Sequence, residues 1–361
     1  MRIPPPIRNS LRSNKLVRWI YFNGHLADIP VVLGLGNFKK QMETAISQFV
    51  DKNRLSEPAY IKSLTNDIKS CYIRYKITPQ EYFLFRLSDK NQSERKDYLS
   101  DHLIMKLVAD SSGRKIHDAE LNDKYNFYKI NRHFFKRNAL HFNSRTSLDE
   151  FSHYALSAKR FIAKPNKAAL GHGVELFATD NDIEVKNAYN RLKDNNVDYI
   201  IEDLIIQRSD MAIWNQSSVN TIRINSFLIN NKFTLIYPFI RTGRKGSIVD
   251  NGGQGGIFAS VDKDTGIICT EGMDEKGITY ESHPDSKITY RGWQIPNWGE
   301  LLQLTEQVHR NMPKHKYVSW DFALTDNGWV LIEGNWGEFV CQQMTYKRGL
   351  KKEFILMLKS K

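Results

Sequence analysis

The chain has 361 residues, 41% of them hydrophobic, and its 52 Lys and Arg against 40 Asp and Glu give a formal net charge of +12. That length and apolar content suffice for two or three packed domains and exclude a disordered chain. No apolar run approaches the roughly 18 residues needed to span a bilayer, and no secretory h-region with a cleavage site opens the sequence, so a cytoplasmic location is expected. Cys71, Cys269 and Cys341 are odd in number and widely spaced, which argues against a disulfide framework or a zinc site and for buried free thiols.

Residues 1–115 read as a mostly helical N-terminal region, with apolar residues at helical spacing over Met42–Phe49 and Tyr98–Leu107. Pro4-Pro5-Pro6 favours a short extended arm, and Leu87–Arg95 a surface loop or helix entry. Residues 116–200 are mixed. Helices are predicted around Lys124–Arg137, Leu148–Ser157 and Asp182–Asn195, and strands at Arg160–Ala163 and Val174–Ala178. Residues 201–361 are richer in strands: Tyr199–Ile205 leads into them, followed by Thr221–Ile229, Lys232–Phe239, Gly256–Val261 and Ile267–Cys269, then a helix over Trp298–Met312 and a hairpin. The fold class is therefore α+β. The closing LKKEFILMLKSK is a basic amphipathic helix that either docks on its own domain or touches a membrane surface.

Four clusters carry chemistry. In FIAKPNKAALGHGVELF, residues 161–177, Lys164 ends a strand before a loop in which Gly171 and Gly173 let backbone N–H groups approach polyphosphate oxygens. Taken alone, an ordinary hairpin with an exposed lysine is the better explanation of that segment. In YIIEDLIIQ, Glu202 and Asp203 interrupt an apolar strand, as they would in a hinge whose backbone bonds a purine edge while Glu202 accepts from an exocyclic amine, or in a plain sheet strand with two outward acids. In SVNTIRINSF and the following strand, Arg223 and Arg241 fall on neighbouring strands, with Arg244 in the loop beyond. Such arginines suit carboxylate or phosphate and can stabilise charge in a transition state. The run from Asp250 to Gly256 reads as a lid or turn over a ligand.

The fourth cluster is Tyr317–Val340, where Asp326-Asn327-Gly328 is a hairpin signal between β-branched and aromatic runs. A three-residue loop makes the pairing symmetric about Asn327 and sets Asp321 opposite Glu333, with Asn335 on the same face. Two carboxylates and an amide oxygen suit a hard cation such as magnesium, which fills its remaining positions with water and phosphate oxygens. A solvated strand face is the alternative. The apolar neighbours Trp320, Phe322, Val330 and Ile332 favour the metal, because an unpaired charge among them is costly. The basic balance favours an anionic partner; without zinc-finger spacing, a basic zipper or an RNP motif, nucleic acid is not expected.

The lysine strand with its Gly loop, the acidic hinge, the strand arginines and the final D…ExN come in one order. Together they resemble the ATP-grasp superfamily, and SVNTIRI, VDNGGQGG and WDFALTDNGWVLIEGN are most similar to its sugar-transfer associated family, related to α-L-glutamate ligase-like sequences, over roughly residues 116–345. The resemblance implies two α+β lobes clasping ATP, an N-lobe over 116–200 and a C-lobe over 201–361. It implies that Lys164 is the ATP-phosphate lysine and Lys124 the earlier lysine of the preceding helix. By the same resemblance Glu202, Asp203, Leu204 and Ile205 form the adenine hinge, with Asp210 near the ribose. Asp321, Glu333 and Asn335 match the magnesium triad, and Arg223 and Arg241 the arginines that hold the γ-phosphate or an acylphosphate. The loop NKAALGHGV, with His172, departs from the family by being less rich in glycine.

The implied activity is an ATP- and magnesium-dependent carboxylate–amine ligase that makes an amide through an acylphosphate. The resemblance implies an amino acid and a sugar, sugar acid or sugar nucleotide of surface-polysaccharide synthesis as substrates, and an anionic glycan fits the basic charge. Two alternatives remain open: an ATP-dependent kinase acting on a hydroxyl, and a non-catalytic nucleotide- or glycan-binding module.

Overall fold

The computed structural model describes residues 37–112, 119–167, 173–244, 246–247 and 255–359. They fall into two compact units, one running to Leu103 and including Lys347–Glu353, the other formed by Ile104–Tyr346 and the residues from Phe354 on. The first unit is helical. It contains α1 (Asn37–Phe49), α2 (Pro58–Tyr75), α3 (Pro79–Leu84) and α4 (Gln92–Arg95). The segment Leu87–Arg95 is more ordered than a loop: Leu87 is buried, and Asn91 and Glu94 form a reciprocal capping box on α4. The next helix, α5 (Asp101–Ser112), begins three residues later than the apolar spacing suggests.

The second unit holds two antiparallel sheets among the described residues. The four-stranded sheet has the order β1-β4-β2-β3, from β1 (Ala139–Phe142), β2 (Arg160–Pro165), β3 (Glu175–Ala178) and β4 (Tyr199–Asp203). Two helices, α8 (Leu148–Ala158) and α9 (Asp182–Asp194), cover one face, following α6 (Ala119–Asn122) and α7 (Lys124–Phe135) in the chain. Both covering helices start on a side-chain cap, Ser147 and Asn181, which satisfies amide groups that the first turn leaves unpaired. Phe142, Phe151, Phe161, Val185, Leu192 and Ile201 fill the layer between helices and sheet.

The seven-stranded sheet has the order β11-β10-β5-β6-β7-β8-β9. It comprises β5 (Thr221–Ile229), β6 (Lys232–Thr242), β7 (Ile257–Ser260), β8 (Gly272–Asp274), β9 (Thr279–Tyr280), β10 (Tyr317–Thr325) and β11 (Gly328–Asn335). All nine residues of β5 are buried, yet polar Thr221, Arg223 and Asn225 alternate with apolar Ile222 and Ile224. Strand alternation thus places an apolar face toward the core and a polar face on the other side. On the core side, α11 (Trp298–Asn311) supplies His309, whose Nδ1 lies 2.7 Å from Ser226 Oγ, which in turn accepts from Trp320 Nε1 at 2.8 Å. Burial lowers the His309 imidazole to about 4, so it serves as a neutral packing and hydrogen-bonding group.

The hairpin at β10–β11 reaches the expected pairing by a different route. Its loop is two residues, Asp326 and Asn327, with Gly328 at φ +85, and regular pairing runs from Thr325↔Gly328 to Phe322↔Leu331. An extra residue, Ile332, then bulges out, and this shift is what brings Asp321 opposite Glu333 and Ser319 opposite Asn335. A second irregularity lies on β6, where three residues span what two span on β5. Tyr237 there has φ +43 and Pro238 has no N–H to pair, so the ladder bends at that point.

Other boundaries differ from expectation for local reasons. β4 ends at Asp203 and not at Ile205, because Leu204–Arg208 leaves the ladder as an extended connection between the two sheets. Ile267–Cys269 forms only isolated bridges, Val261↔Ile268 and Ile267↔Gln294, rather than a strand. Ala139–Phe142, four residues without clear alternation, is an edge strand that the pattern does not announce. All three cysteines are free thiols, but only Cys71 is buried; Cys269 and Cys341 are half-buried. After α12 (Val340–Thr345), the final helix α13 (Lys351–Leu358) sends Phe354 against Phe227, Tyr317 and Phe339. No helix among the described residues is long and apolar enough to cross a membrane.

Packing of α7 on β11 sets how closely Lys124 at the head of the helix approaches the acidic strand. Phe127 on α7 lies against Gly334, where an added Cβ would meet its ring at 3.0 and 3.1 Å and Trp320 at 3.1 Å. Gly334→Val is therefore expected to overpack this seam and destabilise the protein by about 1–3 kcal/mol. Urea unfolding measures it, and an unchanged midpoint would contradict this packing.

Candidate active site

The polar face of the seven-stranded sheet is organised around one buried ion pair. Asp321 on β10 pairs directly with Arg223 on β5 in the strand register. Its two carboxylate oxygens accept from Arg223 Nε and Nη2, a two-point contact that fixes both planar groups. Arg241 on β6 adds a third bond, Nη2 to Asp321 Oδ2 at 2.9 Å, while its Nε donates to Thr221 Oγ1 at 3.0 Å. Burial alone would push the Asp321 carboxyl up, but Arg223 and Arg241 outweigh it and hold it at about 2. The expected pair of arginines on neighbouring strands is therefore present, with both guanidinium groups turned onto Asp321.

Two half-exposed carboxylates flank this core. Glu333 Oε1 accepts from Asn335 Nδ2 at 3.2 Å and lies 3.8 Å from Arg223 Nη2. Glu338, just beyond β11, forms an ion pair with Arg223 Nη1. The Glu338 loop is tied down from below: Asn225 Nδ2 donates to Glu338 O at 3.3 Å, and Ser319 Oγ contacts Gly337 O at 2.5 Å and Asn225 Oδ1 at 2.8 Å. Sequence reasoning passed over Glu338. The available signal was an acid three residues after Asn335 in a turn too short to carry it away.

These donors are all hard oxygens, and Arg223 places a positive charge at the point they share. Among the described residues no three His, Cys, Asp or Glu side chains form a ready-made metal cage. Asp321, Glu333 and Asn335 nevertheless fit a small divalent cation that keeps several waters, since such an ion needs only one or two protein carboxylates.

The four-stranded sheet contributes the opposing cations. Lys164 Nζ on β2 donates to Glu202 Oε1 on β4 at 3.1 Å, and Arg137 Nε donates to Glu202 Oε2 at 2.8 Å. Arg137 Nη1 also donates to Leu331 O on β11 at 2.8 Å, so one side chain bridges the two sheets. Glu202 is thus a buried anchor for Lys164 and Arg137, with both carboxylate oxygens already engaged, and not an open acceptor for an exocyclic amine. Burial raises its carboxyl, but Arg137 and then Lys164 overcome that and hold it down at about 2. Lys124 opens α7 and donates to Pro165 O at 3.2 Å. Its ammonium is lowered first by burial, raised by Glu333, lowered by Lys164 and raised by Glu202. A run of charges therefore passes from Glu202 through Lys164 and Lys124 to Glu333, Arg223 and Asp321.

The remaining expected residues are less directly placed. Asp203 accepts from Tyr154 Oη at 2.9 Å and from Asn138 N at 2.9 Å, so its side chain braces the end of β4. Leu204 and Ile205 lie half-buried in the extended connection after β4. Asp210, in the four-residue helix α10 (Ser209–Ala212), is bound by the neighbouring Arg208 at 2.9 and 2.6 Å. Gly173 has φ +72, and a Cβ there would stand 2.9 Å from Pro165, which accounts for glycine at that position. Gly171, His172 and the run from Asp250 to Gln254 lie outside the described residues. Arg244 turns away from Asp321, donating to Asp274 Oδ2 at 3.1 Å and to Tyr280 Oη at 2.9 Å.

The family profile described as sugar-transfer associated ATP-grasp matches residues 113–357, more than half of the chain, and the protein belongs to that family. Its fold is accordingly the α+β ATP-grasp fold, preceded by a mostly helical region. Similar solved structures include D-alanyl-alanine synthetase A from Vibrio cholerae, with 12% identity over 66% of this chain and 65% of that one and a TM-score of 0.42. A D-alanine–D-alanine ligase from Helicobacter pylori gives 15% identity, 68% and 62% coverage and a TM-score of 0.40. An L-amino acid ligase from Bacillus licheniformis gives 10%, 66% and 48%, and 0.39. The chain spans a little less than two thirds of the length of the Vibrio enzyme, and the family membership rests on the profile alone. No curated protein matches the sequence.

Glu202 and Asp321 have depressed folded pKa values of about 2, against ordinary values of 4.5 and 3.8. The stability they contribute is present above those ordinary values and is lost as pH falls toward 2. Glu202→Gln, which leaves Arg137 and Lys164 uncompensated, is expected to cost about 3–5 kcal/mol at neutral pH and to flatten the loss of stability between pH 4.5 and 2. Urea unfolding across that range checks both effects, and a variant as stable and as acid-sensitive as the parent would refute the pairing.

Proposed function

We propose that the protein is an ATP- and magnesium-dependent carboxylate–amine ligase that forms an amide through an acylphosphate. The observation that carries this reading is the run of charges joining two lysines of one sheet to the arginine–carboxylate cluster of the other. A polyphosphate bound there would meet Lys164 and Lys124 from one side. From the other it would meet the charges of Arg223 and Arg241. Lysine ammonium groups serve as point charges for phosphate, and arginines match its oxygens in pairs.

On this reading Glu202 and Arg137 hold Lys164 in place without meeting the nucleotide themselves. The backbone of Asp203, Leu204 and Ile205 takes the adenine edge, and Asp210 is the candidate for the ribose. Asp321, Glu333 and Asn335 would hold magnesium, whose role when bound is to neutralise phosphate charge and orient the phosphoryl group. Arg241, bonded to Asp321 yet at the edge of the cluster, is the group best placed to follow negative charge as it moves onto the transferring phosphoryl and the acylphosphate. Little covalent chemistry falls to the protein in such a transfer; positioning and charge neutralisation supply the rate.

The family description points to sugar transfer, and the surplus of 12 positive charges favours anionic partners. We therefore assign one substrate to amino acids and the other to a sugar, sugar acid or sugar nucleotide of a surface-polysaccharide precursor, handled in the cytoplasm.

The test is magnesium-dependent ATP cleavage by the purified protein with pooled amino acids and sugar acids, the products read by mass spectrometry. ADP, phosphate and a condensed amide are expected. A phosphorylated acceptor without free phosphate would replace the ligase with a kinase, and a protein that neither binds nor cleaves ATP would overturn the reading. Glu333→Gln is expected to lower turnover by about a hundredfold or more while leaving the fold intact. Lys164→Ala should weaken ATP binding by roughly tenfold, the worth of about one charge-assisted hydrogen bond.

A further inference from the structure

Arg137 enters the proposed function only as a support for Lys164, yet all three nitrogens of its guanidinium are engaged, and one of them reaches the other sheet. Nε and Nη2 donate to Glu202 Oε2. Nη1 donates to Phe135 O at 3.3 Å, at the C-terminal end of α7, and to Leu331 O at 2.8 Å. The group lies 4.5 Å over the Phe135 ring and its side chain is 7% exposed, so its orientation is fixed on every side.

The carbonyl that Arg137 holds lies at a decisive place. β11 is an edge strand, so among the described residues no further strand covers its outer side. In a hairpin closed by a two-residue loop, Thr325 and Gly328 form a hydrogen-bonded pair and the pair types alternate from there. Phe322↔Leu331 is then a non-bonded pair, with the N–H and C=O of Leu331 turned outward. Leu331 is fully buried, and a buried outward carbonyl needs a donor. Arg137 supplies it, on the peptide group that joins Leu331 to the bulged Ile332. That bulge decides which way the proposed metal ligands face. Regular pairing beyond Leu331 would set Ile332 against Asp321, and this one-residue slip would turn Glu333 and Asn335 to the opposite face of the sheet. Phe127 against Gly334 restrains the strand after the bulge; Arg137 restrains it before.

Resting on the magnesium-dependent reading above, we propose that Arg137 is a positioning residue of the metal strand: by holding the Leu331 carbonyl it keeps Ile332 bulged, and so keeps Glu333 and Asn335 beside Asp321. The same guanidinium holds Glu202, which anchors Lys164, so the placement of the phosphate lysine and the register of the metal strand share one support. Arg137 itself meets neither nucleotide nor ion. Its planar fork serves both partners at once, whereas a lysine ammonium is a single point charge that stays with Glu202 and gives up the Leu331 carbonyl.

The experiment compares the full-length parent with Arg137→Lys, below the unfolding temperature of both. Calorimetry measures binding of the non-hydrolysable ATP analogue AMP-PNP without metal. Electron paramagnetic resonance then measures binding of manganese, a paramagnetic probe for magnesium sites, to the AMP-PNP complex. Arg137→Lys is expected to weaken manganese by about tenfold, as loss of a group that orients metal ligands does. Metal-free AMP-PNP affinity should stay within about twofold, because the charge pair with Glu202 and hence Lys164 remain in place. In a second variant, Arg137→Ala, free guanidinium ion filling the vacated site is expected to restore part of the manganese binding. A variant that had merely loosened the fold would gain nothing from guanidinium, a denaturant, and that result would overturn the proposal. Arg191→Lys, on an exposed pair with Glu175, is the control expected to match the parent. If Arg137→Lys binds manganese like the parent, or loses nucleotide and manganese equally, Arg137 does not set the register and the proposal falls while the metal site stands. If the parent complex binds no manganese, or Glu333→Gln binds it like the parent, the magnesium reading falls and takes the proposal with it.

Discussion

The structure depends on the buried contact between Arg223 and Asp321 across β5 and β10. Taking both groups out of water is costly, and the cost is offset only because the guanidinium fork meets the carboxylate at two points and Arg241 adds a third. Once that contact is fixed, the positions of Thr221, Arg241, Asn225 and Ser319 follow from strand register, and the Glu338 loop follows from Asn225 and Ser319. Glu333 and Asn335 reach the same face because Ile332 bulges from β11. A pair that is rigid and buried at its centre but bordered by half-exposed carboxylates is the arrangement expected of a site that must stay aligned while an ionic ligand enters and leaves.

The second sheet carries the complementary charge under similar discipline. Glu202 is enclosed by Lys164 and Arg137, and Arg137 continues to Leu331 on the hairpin, so the position of one sheet's lysine is coupled to the other sheet's acidic strand by a single side chain. Lys124 enters through the packing of Phe127 on Gly334. The absence of a side chain at Gly334, between Glu333 and Asn335, is what allows helix α7 to approach. Apolar packing and ion placement are therefore set by the same few residues.

Much of this was legible in the sequence because strands repeat every second residue. Thr221–Ile229 is a strand with the predicted bounds, and alternation along it puts Arg223 on the polar face. The opposition of Asp321 and Glu333 was anticipated from the Asp-Asn-Gly turn, although a shorter loop and a bulge replace the assumed three-residue loop. Bulges depend on cross-strand packing, which no single strand records. The partner of a buried charge is similarly invisible: Arg137 lies 65 residues from Glu202, and nothing local joins them. Glu338 was missed because its position follows from a left-handed backbone held by residues on two other strands. The helical first unit offered apolar spacing but no chemistry, in keeping with a region whose pattern records packing alone.

The central claim is that the charges between the two sheets of the second unit are a nucleotide polyphosphate site. Calorimetric titration of the purified protein with AMP-PNP, with and without magnesium, tests it most directly. The account predicts one nucleotide per chain, bound more tightly with magnesium than without. Absence of binding under both conditions, or binding that magnesium leaves unchanged, would contradict it.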